Sequence, residues 1–399
     1  MNSLTPKENN IHSQILGSIN EIDQNQWDAC TCLASALYNP FISYGFLSAL
    51  ETSRSAHKDN GWQPAHIIIQ DDNQNLLACS PVYIKYHSYG EYVFDWAWAE
   101  AYQRLGEAYY PKLQCCVPFS PVTGPRLLTR DNLPENEKSR LRQVLARMLI
   151  EFAQKYKMSS VHVTFPCKPD LKILDETGFM IRHGLQFHWR NQNYKCFDDW
   201  LNTLSSRKRK NIKKEREKAY QSGVEIHTLI GSDIKKEHWD SFYQFYQLTV
   251  DQKWGQAYLK RSFFDYLSDA IPDDIVLILG KEKNMWVCGA LNLLGGNTLF
   301  GRNWGSVVEY PMLHFEICYY RAIEIAIERQ LDYVEAGAQG VHKISRGYLP
   351  TTTYSAHWIE DKKFETAIRK YLSIERESIS KDKAQFNIIS PYKKVYNKK

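Results

Sequence analysis

The chain has 399 residues, enough for two or three domains at roughly 100–200 residues each. Hydrophobic residues make up 43%, charged residues 24% and aromatics 13%, which excludes a disordered or low-complexity protein. No apolar run nears the roughly 18 residues of a membrane span, and the start MNSLTPKENN lacks the hydrophobic core of a leader, so a cytoplasmic protein is expected. The formal charge of +5 is local. Residues 205–218, SSRKRKNIKKEREK, hold eight basic and two acidic residues, leaving one net negative charge for everything else. Such a patch points to a polyanionic partner. The nine cysteines include no C-x-x-C pair, and no His or Cys cluster has ligand spacing, so neither a disulfide framework nor a metal site is expected.

In chain order, IHSQILGSI (11–19) alternates as a strand, followed by short helical patterns at 22–36 and 43–53. QPAHIIIQDD (63–72) and LLACSPVYIKYH (76–87) read as paired strands with a turn at Asp71-Asp72-Asn73, and EYVFDWAW (91–98) as a third strand. A Pro-rich connection leads to a helix over 135–157, with Leu141, Leu145, Met148, Leu149 and Phe152 on one face. Strands follow at 161–165 and 181–190. The basic segment reads as a helix between a cap at Ser205 or Ser206 and the breaker Gly223. The second half repeats the order: a strand at 224–230, helices at 233–250 and 257–270, strands at 274–280, 286–294 and 298–305, a helix at 313–329, and strands at 332–337 and 353–360. Residues 65–84 align with 274–293 at a constant offset, and Tyr-Pro-x-Leu recurs at 110–113 and 310–313. Two copies of one unit are therefore expected: residues 1–195 and 224–399, joined by a basic helical linker at 196–223.

Three antiparallel strands followed by a helix crossover into another strand is the order of the GNAT acyltransferase fold. The fold class expected is α/β: two tandem GNAT-like domains, each a mixed central sheet flanked by helices. The strings NPFISYGFLSALE (39–51), SYGEYVFDWAWAEAY (88–102), YYPKLQCCVPFSPVTGPRLL (109–128), LSSRKRKNIKKER (204–216) and EAGAQGVHKISRGYLPTTTYSAHW (335–358) resemble the FemAB-like family of peptidoglycan biosynthesis and recognition. That resemblance implies acyl or aminoacyl transfer to an amine, with a small-molecule or peptide acceptor such as a peptidoglycan precursor. Aminoacyl-tRNA is the favoured donor, acyl-CoA the alternative, and a catalytically silent RNA- or precursor-binding protein a third reading.

Specific residues carry these expectations. Arg207, Lys208, Arg209, Lys210, Lys213 and Lys214 would contact the tRNA backbone, which would relieve their mutual repulsion. The acyl-CoA pattern [Q/R]-x-x-G-x-[G/A] has a near match at Arg302-Asn-Trp304-Gly-Ser-Val307 and a literal one at Gln103–Ala108; Arg302 and Trp304 are assigned to substrate binding. In the glycine-rich segment after the strand ending at Glu335, either Glu335 or His342 would take the amine proton. Lys343 and Arg346 would hold a carboxylate or phosphate, and Tyr348 would protonate the leaving oxygen. Asp95, a carboxylate among aromatics, either pairs or shifts its pKa, and is counted with the substrate-binding residues. No metal or other cofactor is expected.

Overall fold

The structure, a computed structural model, describes residues 11–33, 35–253, 257–338 and 340–393. The polar N-terminal decapeptide, and Gln339 in the glycine-rich segment, lie outside them. Among the described residues the strands are β1 (Ile11–Leu16), β2 (Trp62–Pro64), β3 (His66–Asp71), β4 (Leu76–Ser80), β5 (Val82–Lys85), β6 (Lys112–Cys115), β7 (Leu128–Thr129), β8 (Ser160–Thr164), β9 (Met180–Arg190), β10 (Glu225–Ile230), β11 (Ile275–Glu282), β12 (Met285–Leu294), β13 (Thr298–Ser306), β14 (Tyr333–Glu335) and β15 (Leu349–Ile359). The helices are α1 (Gln24–Asp28), α2 (Tyr44–Thr52), α3 (Trp96–Arg104), α4 (Glu135–Lys155), α5 (Lys168–Glu176), α6 (Phe197–Thr203), α7 (Ser206–Tyr220), α8 (Lys236–Lys253), α9 (Arg261–Ala270), α10 (Leu313–Phe315), α11 (Arg321–Glu328) and α12 (Lys362–Ile388). A π-helical turn, Glu316–Tyr320, joins α10 to α11.

Two sheets organise the chain, one ordered β1-β3-β4-β7 and one ordered β10-β11-β12-β13-β14-β9-β15-β8-β6-β5-β2. The offset alignment superposes β3 and β4–β5 on β11 and β12. Each half then has a parallel pair spanned by a helix, β6 with β8 and β13 with β14. The last strands are exchanged. β9, from the first half, pairs with β14 of the second, and β15, from the second half, pairs with β8 of the first. β9 and β15 also pair with each other over nine residues, so the larger sheet runs unbroken through both halves and past position 195. A shared core backs it: Phe41 and Phe46 of the first half meet Phe300 and Phe263 of the second edge-on, among residues that are almost wholly buried.

Two local expectations fail. Residues 91–98 are not a strand: the segment arches over the surface and opens helix α3 at Trp96. Its alternation is real but inverted, with Asp95 buried on Lys112 while Phe94 and Trp96 face outward. The third strand of the first half is β6, whose polar Lys112 and Gln114 are as buried as Leu113 and Cys115, so both its faces are covered. The Tyr-Pro repeats are not equivalent either, since the first precedes β6 and the second precedes α10.

Candidate active site

The parallel pair β13–β14 positions the site. Its register runs from Thr298↔Tyr333 to Phe300↔Glu335 and stops there, while β13 continues to Ser306 along β12. Beyond Phe300 the two strands part and open a gap. At the start of the gap β13 carries a bulge: Gly301 and Asn303 face consecutive residues of β12, so Arg302 is the extra residue. Bulges of this kind re-aim a side chain and interrupt the ladder beside functional sites. Glu335 ends β14 at the same level.

Arg302 is surrounded by rings, its guanidinium 4.6 Å from the Phe41 centroid. Burial pushes its pKa down to about 10, against the opposing charge of Glu335. Its Nη2 lies 4.0 Å from Glu335 Oε2, too far for a hydrogen bond. Arg302 Nε and Nη2 and Glu335 Oε2 are buried without a partner. Orphaned charged atoms are costly, and these are grouped in a way that suits a ligand or water between them. On the other side of the carboxylate, His188 Nδ1 is 3.9 Å from Glu335 Oε1. His188 Nε2 bonds Gln186 Oε1 at 3.0 Å, and Gln186 Nε2 donates to Pro121 O. That orientation of Gln186 makes its oxygen the acceptor, so the His188 proton is on Nε2 and its Nδ1 lone pair faces Glu335. Burial lowers the His188 pKa and holds the ring neutral at neutral pH.

Arg302 and Trp304 line a cleft of about 360 Å³ whose walls are rich in aromatic residues, among them Tyr89, Tyr92, Phe94 and Tyr258. The Tyr89–Trp96 segment therefore forms a pocket wall. The adjacent Trp98, Tyr102 and Tyr109 are core.

The other expected site residues are used differently. Within the described part of 335–348, only Ala338 lines the cleft. His342 is exposed and bonds Tyr319 Oη at 3.0 Å. Lys343 is buried and donates to the carbonyls of Ala336 (2.5 Å) and Gly337 (3.0 Å), tying down the turn instead of holding a substrate anion. Arg346 makes a two-pronged pair with Glu215 at 3.0 and 2.9 Å, with its guanidinium 3.4 Å from the Phe315 ring centroid. Glu215 takes its Nε and Nη2 edge and the His342 carbonyl its Nη1, so the fork is committed within the protein. Tyr348 is wholly buried and donates to Tyr319 O at 3.2 Å, which corrects its assignment as a proton donor. Asp95 is salt-bridged to Lys112 and accepts from Tyr109 Oη at 2.6 Å. Burial alone would raise its pKa, but Lys112, His162 and the Ser88 hydroxyl together outweigh it and hold the carboxyl below the usual range. Asp95 is thus a member of a buried ion pair.

Neither acyl-CoA string forms a phosphate loop. Arg302–Ser306 lies within β13, and a Cβ on Gly305 would come within 2.1 Å of Phe245 O, so this glycine serves strand–helix packing. Gln103–Ala108 runs off the C-terminal end of α3, the wrong end for an anion. The basic segment is helical as read, but its charges do not go all round. Ile212 and Ala219 are buried, Glu215 holds Arg346, and Arg216 is paired with Glu316 and Glu324. Arg207, Lys210, Lys213 and Lys214 are exposed, while Lys208 and Arg209 are half-buried.

The architecture is a tandem GNAT-like fold, a mixed sheet with helices on both faces. Among solved structures, FemX matches at TM-score 0.53 and 13% identity, covering 87% of this chain and 98% of that one. The C-terminal domain of a putative lysylphosphatidylglycerol synthetase from Agrobacterium fabrum matches at 0.53 and 7%, covering 87% and 96%. L-PGS from Bacillus licheniformis matches at 0.50 and 9%, covering 81% and 94%. The chain belongs to the FemAB-like family of peptidoglycan biosynthesis/recognition, whose model matches residues 18–394. No curated protein sequence matches it. No described helix is long and apolar enough to cross a membrane, and no group of three His, Cys, Asp or Glu residues could hold a metal among the described residues.

His188, Gln186 and Tyr258 were not legible as site residues. His188 lies far from Glu335 in the chain and meets it only because β9 crosses into the second half.

Proposed function

We propose that this protein is a cytoplasmic acyltransferase that moves an acyl or aminoacyl group onto an amine of a peptidoglycan precursor, with aminoacyl-tRNA as donor. The observation that carries the reading is the row Arg302–Glu335–His188 at the parting of β13 and β14, its orphaned atoms aimed between a cation and a carboxylate beside an aromatic cleft. The donor occupies the cleft with its carbonyl at the bulge, where the interrupted ladder offers backbone N–H groups to the oxyanion. The neutral amine forms the new C–N bond. Glu335 takes the proton that the nitrogen loses and can share it with the His188 Nδ1 lone pair. The tetrahedral intermediate collapses as the bond to the leaving oxygen breaks, and that oxygen takes up a proton. Arg302 faces the carboxylate across 4.0 Å and offers its unpaired N–H groups to the acyl group. No metal or redox cofactor is needed.

The tRNA reading is supported by the outward cations of α7. Changing Arg207, Lys210, Lys213 and Lys214 to Gln should weaken tRNA binding. It should also reduce the log–log salt slope by about 0.9 for each duplex phosphate that these side chains neutralise. Transfer itself is tested by offering charged tRNA or acyl-CoA with peptidoglycan precursors and following amide formation by mass spectrometry. Glu335→Gln should slow transfer about 10²–10⁴-fold. Transfer from acyl-CoA alone would replace the donor, and no transfer from either would leave a silent binder.

A further inference from the structure

A second chamber lies on the other side of the same residues. It has a volume of about 240 Å³ and is floored by the seam between the exchanged strands β9 and β15. Gly184 faces Thr353 across this seam, and Arg182 faces Ser355. A Cβ at Gly184 would come within 2.9 Å of Thr353 Oγ1, so the glycine makes room for that hydroxyl at the floor. Its walls include Gln186 and Thr353, both buried polar residues, and Ile379 from α12. At its rim Arg182 is closed by Glu375 at 2.8 Å, so the chamber has no net cation to attract a phosphate.

The two chambers share Tyr92, Phe94 and Ala338 as a partition. They are also joined by a row of polar side chains. Gln186, on the wall of the smaller chamber, bonds His188; His188 faces Glu335; Glu335 faces Arg302, on the wall of the aromatic cleft. The row follows the sheet, since His188 and Glu335 are directly paired across β9 and β14. One carboxylate, with a buried oxygen that has no partner, therefore stands in the row that joins the two cavities.

We propose that the seam chamber, with the buried polar groups of Gln186 and Thr353 on its wall, is the acceptor site, taking a small primary amine such as the amine end of an amino acid or an amino sugar, while the aromatic cleft takes the acyl donor. Its volume equals that of about eight waters at roughly 30 Å³ each, enough for such a group and too small for an acyl-nucleotide. The amine nitrogen enters past Gln186 and reaches the carbonyl from the side opposite the donor's body. This assignment rests on the two-substrate transfer reading, but it is testable without transfer.

Binding of L-lysine, L-alanine and D-glucosamine to the full chain, without donor, is measured by ligand-detected NMR. At least one should bind saturably in the millimolar range. Ile379→Trp, which fills the chamber from the half-exposed face of α12, should weaken binding about tenfold or more, a change of about 1.4 kcal/mol. Thr353→Val, nearly isosteric, should weaken it several-fold and serves if the tryptophan variant does not fold. Tyr258→Ala, in the aromatic cleft, should leave it unchanged. Absence of saturable binding by all three amines would overturn the assignment, as would amine binding abolished by Tyr258→Ala or indifferent to both chamber variants. Intact amine binding in a protein that transfers nothing would instead count against the transferase reading alone.

Discussion

Replacing Lys112 with Met should unfasten the aromatic wall of the cleft. The Lys112 ammonium is fully buried and reaches three residues of the Ser88–Trp96 segment: Ser88 Oγ at 2.9 Å, Glu91 Oε2 at 2.7 Å and Asp95 Oδ2. Methionine fills the same space but leaves two carboxylates in the interior. Asp95 would keep the Tyr109 hydroxyl at 2.6 Å, and Glu91 would keep only Lys85, at 3.8 Å. Removing one partner of a buried ion pair costs about 3–5 kcal/mol. For a chain of 399 residues with an unfolding entropy of about 2.1 cal/mol/K per residue, that is a fall in Tm of about 4–6 °C. Thermal unfolding followed by circular dichroism reads the destabilisation, and limited proteolysis reads its location, with new cleavage expected between residues 88 and 96. The triple variant Lys112→Met, Glu91→Gln, Asp95→Asn should recover part of the stability, because the stranded charges are gone. A Tm within about 1 °C of the parent, or cleavage spread evenly over the chain, would refute the idea that this one ammonium fastens the segment.

Arg346→Lys should cost about 1–3 kcal/mol of stability, because lysine cannot form the fork to Glu215, with substrate KM unchanged. A double-mutant cycle with Glu215→Gln measured by denaturant unfolding should give a clear coupling energy, and additive effects would contradict the pairing. Tyr348→Phe should cost about 0.5–1.5 kcal/mol for one hydrogen bond and leave the transfer rate unaltered in a steady-state assay. Burial pushes the Glu91 pKa up to about 7 despite the nearby Lys112, so the folded state binds more protons than the unfolded one between the ordinary carboxylate pKa and 7, and stability falls as pH rises through that window. Glu91→Gln should therefore gain on the parent at pH 8 relative to pH 5, read as the gap between their denaturant midpoints. His188, lowered by burial, must charge on acidification, so kcat/KM should drop only below about pH 6.5, and that limb should move or vanish in His188→Gln.

Much of the fold was legible because it is written in local periodicity. The β11–β12 hairpin and its counterpart β3 with β4–β5 are short apolar runs split by turn residues, and helix α4 shows its buried stripe of Leu141, Leu145, Leu149 and Phe152 openly. Segment 91–98 misled because its alternation is read by an ion pair and not by a sheet neighbour: Asp95 turns inward to Lys112, which no nearby residue announces. At the site, Glu335 was expected from its place at a strand end, and Arg302 and Trp304 from a near match to an acyl-CoA string that proves to be part of β13. Arg346, Lys343 and Tyr348 looked equally functional, because a glycine-rich string dense in polar groups is the same whether those groups face a ligand or bond each other. What separates them is a partner far away, Glu215 for Arg346 and Tyr319 for Tyr348. His188 and Gln186 escaped for the converse reason, since long-range strand pairing alone brings them to Glu335.

The exchange of β9 and β15 bears on how substrates get in. Two-lobed enzymes commonly open by swinging one lobe about a few linker residues. Here the lobes are sewn together by a ladder running from β14 through β9 and β15 to β8, and a swing would have to tear backbone hydrogen bonds in the middle of the sheet. The sheet is a fixed keel. Access is left to the parts hung over it, above all the aromatic arch at 88–96 and the α12 face above the seam. Entry and product release should then be local motions of a few residues, with the Arg302–Glu335–His188 row held still while they occur.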